Sequence, residues 1–447
     1  MKTWHTFTKK ILKQLLYMLF LASFFNLTHT KIYPKKDWTI IVYMAADNDL
    51  RGFAAKNIKQ MCQVGSNKHM NIVVHLDIRI SGNKKITRRY YVEKDKFIHM
   101  NANDPHTQSM DSGDPKTLVS CCKWAISKYP AKHYALIFWN HGSGILDTDR
   151  GRILNVIDLF VFNPKTRKFD LDRSISPFEL LQDRGVCWDD TTGNYLTNQK
   201  LDSALKMVCE NYLHGEKFNI IGFDACFMSM LEVANIIKHH SHIMVGSQEV
   251  ELGTGWNYSK VLAPFTQGSM DPVGLATQMV VSYHDVYEKI TNDFTQSAIN
   301  LDALNIIEED INTIASLLIY GLKNQNQSSV KNVIERSRRK SDCTHFSEPS
   351  YIDLHHWYNN LLSHSESMSL HNTHATFKFK EELQESLKLA IANIENTVFA
   401  NAAGHSLIKA EGLSVYFPLR NIHSSYKKTQ FAQGNAWPTF LDNYLKG

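Results

Sequence analysis

The sequence predicts an α/β protein, with a mostly parallel sheet sandwiched between helix layers and a mainly helical C-terminal region. Two observations carry this. Near-continuous apolar runs of strand length recur at 38–44, 71–76, 133–139, 218–223 and 242–246, and such runs suit strands covered on both faces, as in parallel sheets. Helical patterns fill the intervals, at 49–62, 115–128, 197–208 and 228–237, and strand–helix alternation builds that kind of sheet. From about residue 291 the pattern turns chiefly helical, most clearly at 306–322 and 378–397, with a late strand at 412–418.

Local signals refine the elements. Asp114 followed by Pro115 marks a helix start, because Asp caps the free N–H groups and Pro fits the first turn. Thr197 is a second cap. The run 86–93 reads as an antiparallel addition at one side of the sheet, and 324–330 as a polar loop. The stretch 144–184 lacks clear periodicity and holds seven basic residues: Arg150, Arg152, Lys165, Arg167, Lys168, Arg173 and Arg184. A loop that long inside a compact domain is usually functional or mobile.

Composition narrows the function. The chain has 447 residues, 43% hydrophobic and 21% charged, which is ordinary globular usage. The net charge of +5 is spread along the chain without a basic stripe, so nucleic acid is not the expected partner. Lys2, Lys9, Lys10 and Lys13 precede an apolar stretch over 15–25, which is too short for a comfortable bilayer span and matches a secretory signal. Residues 1–30 are therefore expected to be a signal peptide, with an uncleaved anchor as the alternative and membrane attachment only in that case. Expected location is secreted or periplasmic. The seven cysteines form no CxxC pair, so neither a zinc ribbon nor a dense disulfide framework is expected. The adjacent Cys121 and Cys122 read as small core residues.

Two strands run into reactive groups. The third apolar run leads to Asn140-His141-Gly142, and the fourth to Asp224-Ala225-Cys226. Ligands of open parallel sheets bind beyond the carboxyl ends of the strands, so His141 and Cys226 are expected on one edge of the sheet. A thiol becomes nucleophilic on losing its proton, and a nearby imidazole accepts that proton or stabilises the thiolate. A helix starting just after Cys226 would add partial positive charge. The backbone N–H of Gly142, with that of Cys226, would serve the oxyanion of an attacked carbonyl. A lone Cys after an apolar strand is more often inert core, and spacing alone leaves the two readings about even.

The chain further contains 38–50 (WTIIVYMAADNDL), 112–118 (SGDPKTL), Trp188-Asp189-Asp190, 223–228 (FDACFM) and 255–258 (GWNY). In this order, and together with the His-Gly turn and the late strand, they resemble the clostripain family of cysteine peptidases, in the clan that includes caspases and legumain. The resemblance spans about 38–445. It implies a caspase-like α/β/α sandwich over 31–290, with 145–184 as a candidate processing loop, and a C-terminal region over 291–447. It implies His141 and Cys226 as the catalytic pair, protein or peptide substrates with basic residues, and self-cleavage in the loop. Asp224, two positions before the nucleophile, matches an acidic residue of the pocket for the residue preceding the cleaved bond.

Cutting after Arg or Lys needs negative charge at the base of that pocket. Thr254 stands where the family often has an acid, and Glu249 and Glu251 are the nearby candidates to supply it, with a solvated loop face as their alternative reading. No cofactor is required. Calcium is left open because Asp47, Asp49, Asp189 and Asp190 are acidic, although no EF-hand spacing occurs and Asp49 reads as a helix cap. No metal ligands are assigned. Three rivals stay open: a caspase-like peptidase of other specificity, a catalytically inactive binding protein on the same scaffold, and a surface-anchored interaction protein.

Overall fold

Apolar runs become strands in the order the sequence sets. The computed structural model describes residues 33–82, 84–147, 159–173, 185–368 and 374–446. β1 (Lys36–Ala46) leads through α1 (Arg51–Val64) to β2 (Met70–Ser81), which turns back into β3 (Lys84–Glu93) and β4 (Lys96–His99). α2 (Pro115–Lys128) returns the chain to β5 (Ala131–Trp139). Two short hairpins follow, β6 (Phe160–Asn163) with β7 (Lys168–Leu171), and β8 (Val186–Asp189) with β9 (Asn194–Leu196). The alternation resumes with α3 (Asn198–Asn211), β10 (Phe218–Asp224), α4 (Leu231–Ile237) and β11 (Ser241–Gly246). α5 (Tyr258–Leu262) and α6 (Pro272–Tyr287) lead to β12 (Thr295–Asn300), α7 (Leu304–Asn324) and α8 (Gln327–Arg338). The chain ends with β13 (Tyr351–Asp353), α9 (Leu354–Ser365), α10 (His374–Thr397), β14 (Val398–Ala403), β15 (Ser414–Tyr416), α11 (Gln430–Gly434) and α12 (Trp437–Lys446).

Among the described residues the main sheet has nine strands, ordered β14-β12-β11-β10-β5-β1-β2-β3-β4. The five central strands β11, β10, β5, β1 and β2 are parallel, and antiparallel pairs flank them on both sides. Chain direction across the sheet reverses at β1. Right-handed crossovers therefore place α1 on one face and α2, α3 and α4 on the other. α5 and α6 join the α1 layer. The expected caps are present: Asp114 accepts from Lys116 N at 2.9 Å with Pro115 behind it, and Thr197 accepts from Lys200 N at 3.2 Å.

Several expectations need correction. The helix after the fourth strand begins at Leu231, not 228. It starts five residues beyond Cys226 and is seven residues long, so its dipole adds little at the thiol. Asp49 caps no helix: α1 starts after Leu50 with no side-chain cap bond. The stretch 324–330 is mostly helical, because Asn326 accepts from Ser329 N and starts α8. The loop after Gly144 is partly folded. β6 and β7 close around a turn in which Arg167 takes a positive φ of 56°, and four-residue strands are too short to show a period. The region from 291 is mainly helical, yet it adds β12 and β14 to the main sheet, while β15 pairs with β13. Cys121 and Cys122 are buried core residues as expected. The N-terminal segment lies outside the described residues, and no described helix is long and apolar enough to cross a membrane.

The C-terminal helices meet in an aromatic cluster. Trp357, Phe417 and Trp437 sit edge to face with centroids 5.3–5.4 Å apart, a geometry favoured by the ring quadrupoles. Trp437 also donates from Nε1 to Tyr416 O at 2.9 Å, which ties α12 to β15. Trp437→Ala is expected to lower stability by about 3–5 kcal/mol, read as an earlier denaturant midpoint with unchanged slope.

Candidate active site

The site is built by register. β5 and β10 are neighbours, and Trp139 pairs with Asp224 at their carboxyl ends. His141 and Cys226 each lie two residues further on, so parallel pairing carries them out side by side. The ladder continues one step, with Asn140 N donating to Asp224 O at 3.3 Å. A Cβ built on Gly142 would fall 2.3 Å from Cys226 O, so only glycine allows this approach. The two loops expected to meet do meet.

Asn140 fixes the first loop. Its Nδ2 donates to Ala45 O at 2.5 Å and its Oδ1 accepts from Trp188 N at 2.9 Å, linking β5 to β1 and β8. His141 is 1% exposed and its Nε2 lies 2.6 Å from Asp49 Oδ1. This contact explains why Asp49 does not cap α1. Nothing in the sequence marked it, because Asp before a helix ordinarily reads as a cap.

The second loop turns sharply. Phe227 takes a positive φ of 62°, an unfavourable conformation for a bulky residue that persists only when surroundings impose it. Phe227 N donates to Glu249 O at 3.2 Å and Ser229 N to Ser247 O at 2.9 Å, which pins the turn. Cys226 is 4% exposed, and its Sγ accepts from Glu251 N at 3.3 Å.

Asp224 and Glu251 share a buried space behind the thiol. Asp224 accepts from Trp256 N at 3.0 Å and Tyr258 OH at 2.8 Å. Burial pushes its carboxyl up to about 7, because a buried charge loses its hydration. A Cβ on Gly255, which has φ +59°, would fall 2.6 Å from Asp224 Oδ1. Burial and the neighbouring Asp224 push Glu251 well above the usual carboxylate range. Glu251, Trp256 Nε1 and Gln296 face one another without reaching hydrogen-bond geometry; among the described residues these buried polar atoms have no such partner. Orphaned polar atoms of this kind call for an explanation.

Neither glutamate lies on a solvated loop face. Glu249 is fully buried and already engaged: Ser347 N donates to its Oε2 at 3.0 Å, and Arg173 lies 3.4 Å away. Thr254 Oγ1 lies 2.8 Å from Tyr287 OH, which donates to Gly255 O at 2.6 Å. Beside Thr254 and Gly255 opens a cavity of about 420 Å³, walled by Phe53, Leu252, Val286 and Ile290 and by Phe160 and Phe169 of the β6–β7 hairpin.

Of the acidic residues considered for calcium, Asp49 goes to His141, and Asp47, Asp189 and Asp190 are paired with Lys85 and Arg79. A metal does not fit them, because an ammonium already stands among the oxygens; no group of metal-ligating side chains occurs among the described residues.

Comparison with known proteins agrees with this architecture. The sequence profile described as the clostripain family matches residues 42–156 and 175–444. A secreted C11 cysteine protease from Bacteroides thetaiotaomicron, solved with an irreversible peptide inhibitor, superposes with a TM-score of 0.55 at 20% identity, covering 91% of this chain and 99% of that one. An inactive zymogen C11 protease from Parabacteroides distasonis gives 0.55 at 17% identity, covering 90% and 99%. No curated protein sequence matches. The fold is that of solved C11 proteases, the family profile covers most of the chain, and the chain belongs to the clostripain family of cysteine peptidases.

Proposed function

We propose that this peptidase is an exported endopeptidase that cuts after Arg or Lys, with Cys226 as nucleophile and His141 as acid and base. The observation that carries this is the register placing both residues two positions past the paired Trp139 and Asp224. The Cys226 thiolate attacks the scissile carbonyl carbon, forming a C–S bond. The oxyanion lies against the N–H groups of Gly142 and Cys226. As the C–N bond breaks, the imidazolium gives its proton to the leaving amine. Water then attacks the thioester, His141 takes its proton, and the thiolate leaves. Asp49 orients the ring: accepting from Nε2–H leaves Nδ1 as the nitrogen that exchanges protons.

Substrate preference follows from the buried acids. Glu251 takes the place of the acid absent at Thr254, and a guanidinium or ammonium entering beside Asp224 would satisfy the oxygens of Glu251 and Gln296 that lack hydrogen-bond partners. The near-complete burial of His141 and Cys226 fits a chain awaiting activation, and we assign that step to self-cleavage within 145–184. Lys165 and Arg167 are exposed in the hairpin turn, whereas Lys168 and Arg173 are engaged by Asn292 and by Glu249 and Asp293. Arg150, Arg152 and Arg184 lie outside the described residues.

Cys226→Ala and His141→Ala are each expected to abolish hydrolysis of fluorogenic Arg and Lys peptides with circular dichroism unchanged. Turnover in either variant would exclude the pair. Asp49→Asn should lower kcat roughly 10²-fold with KM nearly unchanged; equal losses in both would make Asp49 part of the binding surface instead.

Asp224 gives a pH signature. Its carboxyl is held up to about 7, so it is neutral below that pH and gives no charge to a basic side chain. KM for an Arg peptide should therefore rise as pH falls through 7. Asp224→Asn should lower kcat/KM about tenfold or more, since a charge-assisted contact is worth about 1.5–3 kcal/mol, and should flatten the profile. An unchanged profile would make Asp224 structural.

Mass spectrometry tests activation. Wild-type protein should yield two fragments joined after a basic residue of 145–184, and Cys226→Ala a single chain. An intact, fully active wild type would rule out maturation, and equal cutting of both would indicate a contaminating protease.

A further inference from the structure

A second acidic cluster lies at the end of β1, beside β2 and β3, and Lys85 stands inside it. Asp47, Asp77 and Asp189 are each fully buried. Lys85 Nζ lies 2.9 Å from Asp77 Oδ2 and 3.9 Å from Asp47 Oδ2, and also bonds Asp189 Oδ2. Arg79 Nε lies 3.2 Å from Asp47 Oδ1, and its Nη2 pairs with Asp190. Short donors add hydrogen bonds to Asp77 and Asp189. Ser112 Oγ donates to Asp77 Oδ2 at 2.7 Å, Thr87 Oγ1 to Asp77 Oδ1 at 3.0 Å, and Thr192 N to Asp189 Oδ1 at 3.0 Å. Several oxygens from different chain segments converge on one cation, as oxygen ligands do around a bound ion. Here the cation is covalently part of the chain.

We propose that Lys85 is a built-in cation that does the work of a divalent ion at this cluster, and that through Asp47 and Asp189 it positions Asp49 against His141. The route is short. Asp190 N donates to Asp47 O at 2.8 Å and Thr191 N to Asp47 Oδ2 at 3.3 Å, so the turn after β1 is tied to the end of β8. Asn48, between Asp47 and Asp49, donates to Trp188 O at 3.1 Å. Trp188 N bonds Asn140, the neighbour of His141. The two loops that hold the imidazole are thus hung on carboxylates that Lys85 keeps together.

Titration behaviour agrees. Burial works against the Lys85 charge, yet Asp77 and Asp189 hold its pKa above the ordinary value. Burial raises Asp189, but Lys85 together with the N–H groups of Thr192 and Ser112 outweighs it, and the net shift is downward. Asp77 is pushed up to about 7 by burial. Four carboxylates face two cations, so losing Lys85 strands buried negative charge, which must be neutralised by protons or by a bound cation. Shortening residue 85 to serine opens the space its ammonium holds, and calcium accepts oxygen ligands at about 2.3–2.6 Å with water completing its shell.

The positioning half of this inference rests on the proposed catalytic role of His141, so its test has a readout independent of activity. Thermal unfolding is measured for the full chain, wild type and Lys85→Ser, in chelator, in millimolar calcium chloride, in magnesium chloride, and in sodium chloride of matched ionic strength. The wild-type Tm should be the same in all four. Lys85→Ser should melt several degrees lower in chelator and regain most of the loss in calcium but not in sodium chloride. In parallel, kcat on an Arg peptide should fall about tenfold or more in chelator with KM little changed, and recover with calcium. Absent peptidase activity in wild type would sink the proposed function and leave the unfolding arm to judge the cation. A wild-type Tm that rises with calcium as much as the variant's would overturn the inference. So would a variant as stable as wild type in chelator, or equal rescue by sodium chloride. If Lys85→Ser folds in no buffer, Lys85→Gln decides: stabilisation by calcium supports the built-in cation, and indifference to calcium rejects it.

Discussion

The parallel pairing of β5 with β10 is the constraint on which the site depends. Trp139 opposite Asp224 sets two loops of equal offset beside each other. Because side chains alternate along a strand, a slip of one residue would turn every group to the other face. The register is held by burial on both faces: Leu136, Ile137 and Phe138 of β5 and Ile220, Ile221 and Phe223 of β10 are fully buried. Phe138 and Phe223, paired in the ladder, also stack with centroids 5.4 Å apart. Misregister would break this packing on both faces, so the apolar runs that make the sheet also aim the two loops. The proposed nucleophile needs no long helix behind it. Its place is set by the ladder, by the positive φ of Phe227 and by the backbone bond from Glu251.

Two buried acidic clusters flank this edge, and they differ in whether a cationic side chain accompanies them. Around Lys85, each carboxylate has a cation of the chain beside it. Around Asp224 and Glu251, burial is as complete, but no described Lys or Arg contributes to their shifts, and oxygens of Glu251 and both amide atoms of Gln296 lack hydrogen-bond partners. The first cluster carries its own cations, and the second carries none among the shifts' causes. Desolvation makes a single charge contact there worth more than at the surface. Pairing with Arg173 likewise separates Glu249 from Glu251, two residues apart in the chain.

Much of this was legible in sequence, for physical reasons. The central strands announced themselves as apolar runs because both of their faces are covered, and His141 and Cys226 stood out because each follows such a run. Asp114 and Thr197 were readable as caps because capping is local. Asp49 was not readable, since its partner is 92 residues away and a local cap was the cheaper explanation. Lys85 was equally hidden. On β3 the residues Lys85, Thr87 and Arg89 alternate onto the side turned toward the protein, and charged residues there look like an exposed edge until the distant Asp189 is placed. Short β6 and β7 carry too few residues to show a period. Family resemblance pointed to Asp224, whereas the burial that raises its carboxyl to about 7 is a property of the fold alone.

The central claim is that register has made one of seven buried cysteines a nucleophile. A peptidyl-arginine chloromethyl ketone tests it, because a thiolate held at the substrate carbonyl displaces the chloride and keeps the peptide. Tandem mass spectrometry of the labelled protein locates the bond. The account predicts one adduct per chain, on Cys226, suppressed by excess Arg peptide and lost in His141→Ala. An adduct on Cys187 or another cysteine, or undiminished labelling of Cys226 without the imidazole, would contradict it.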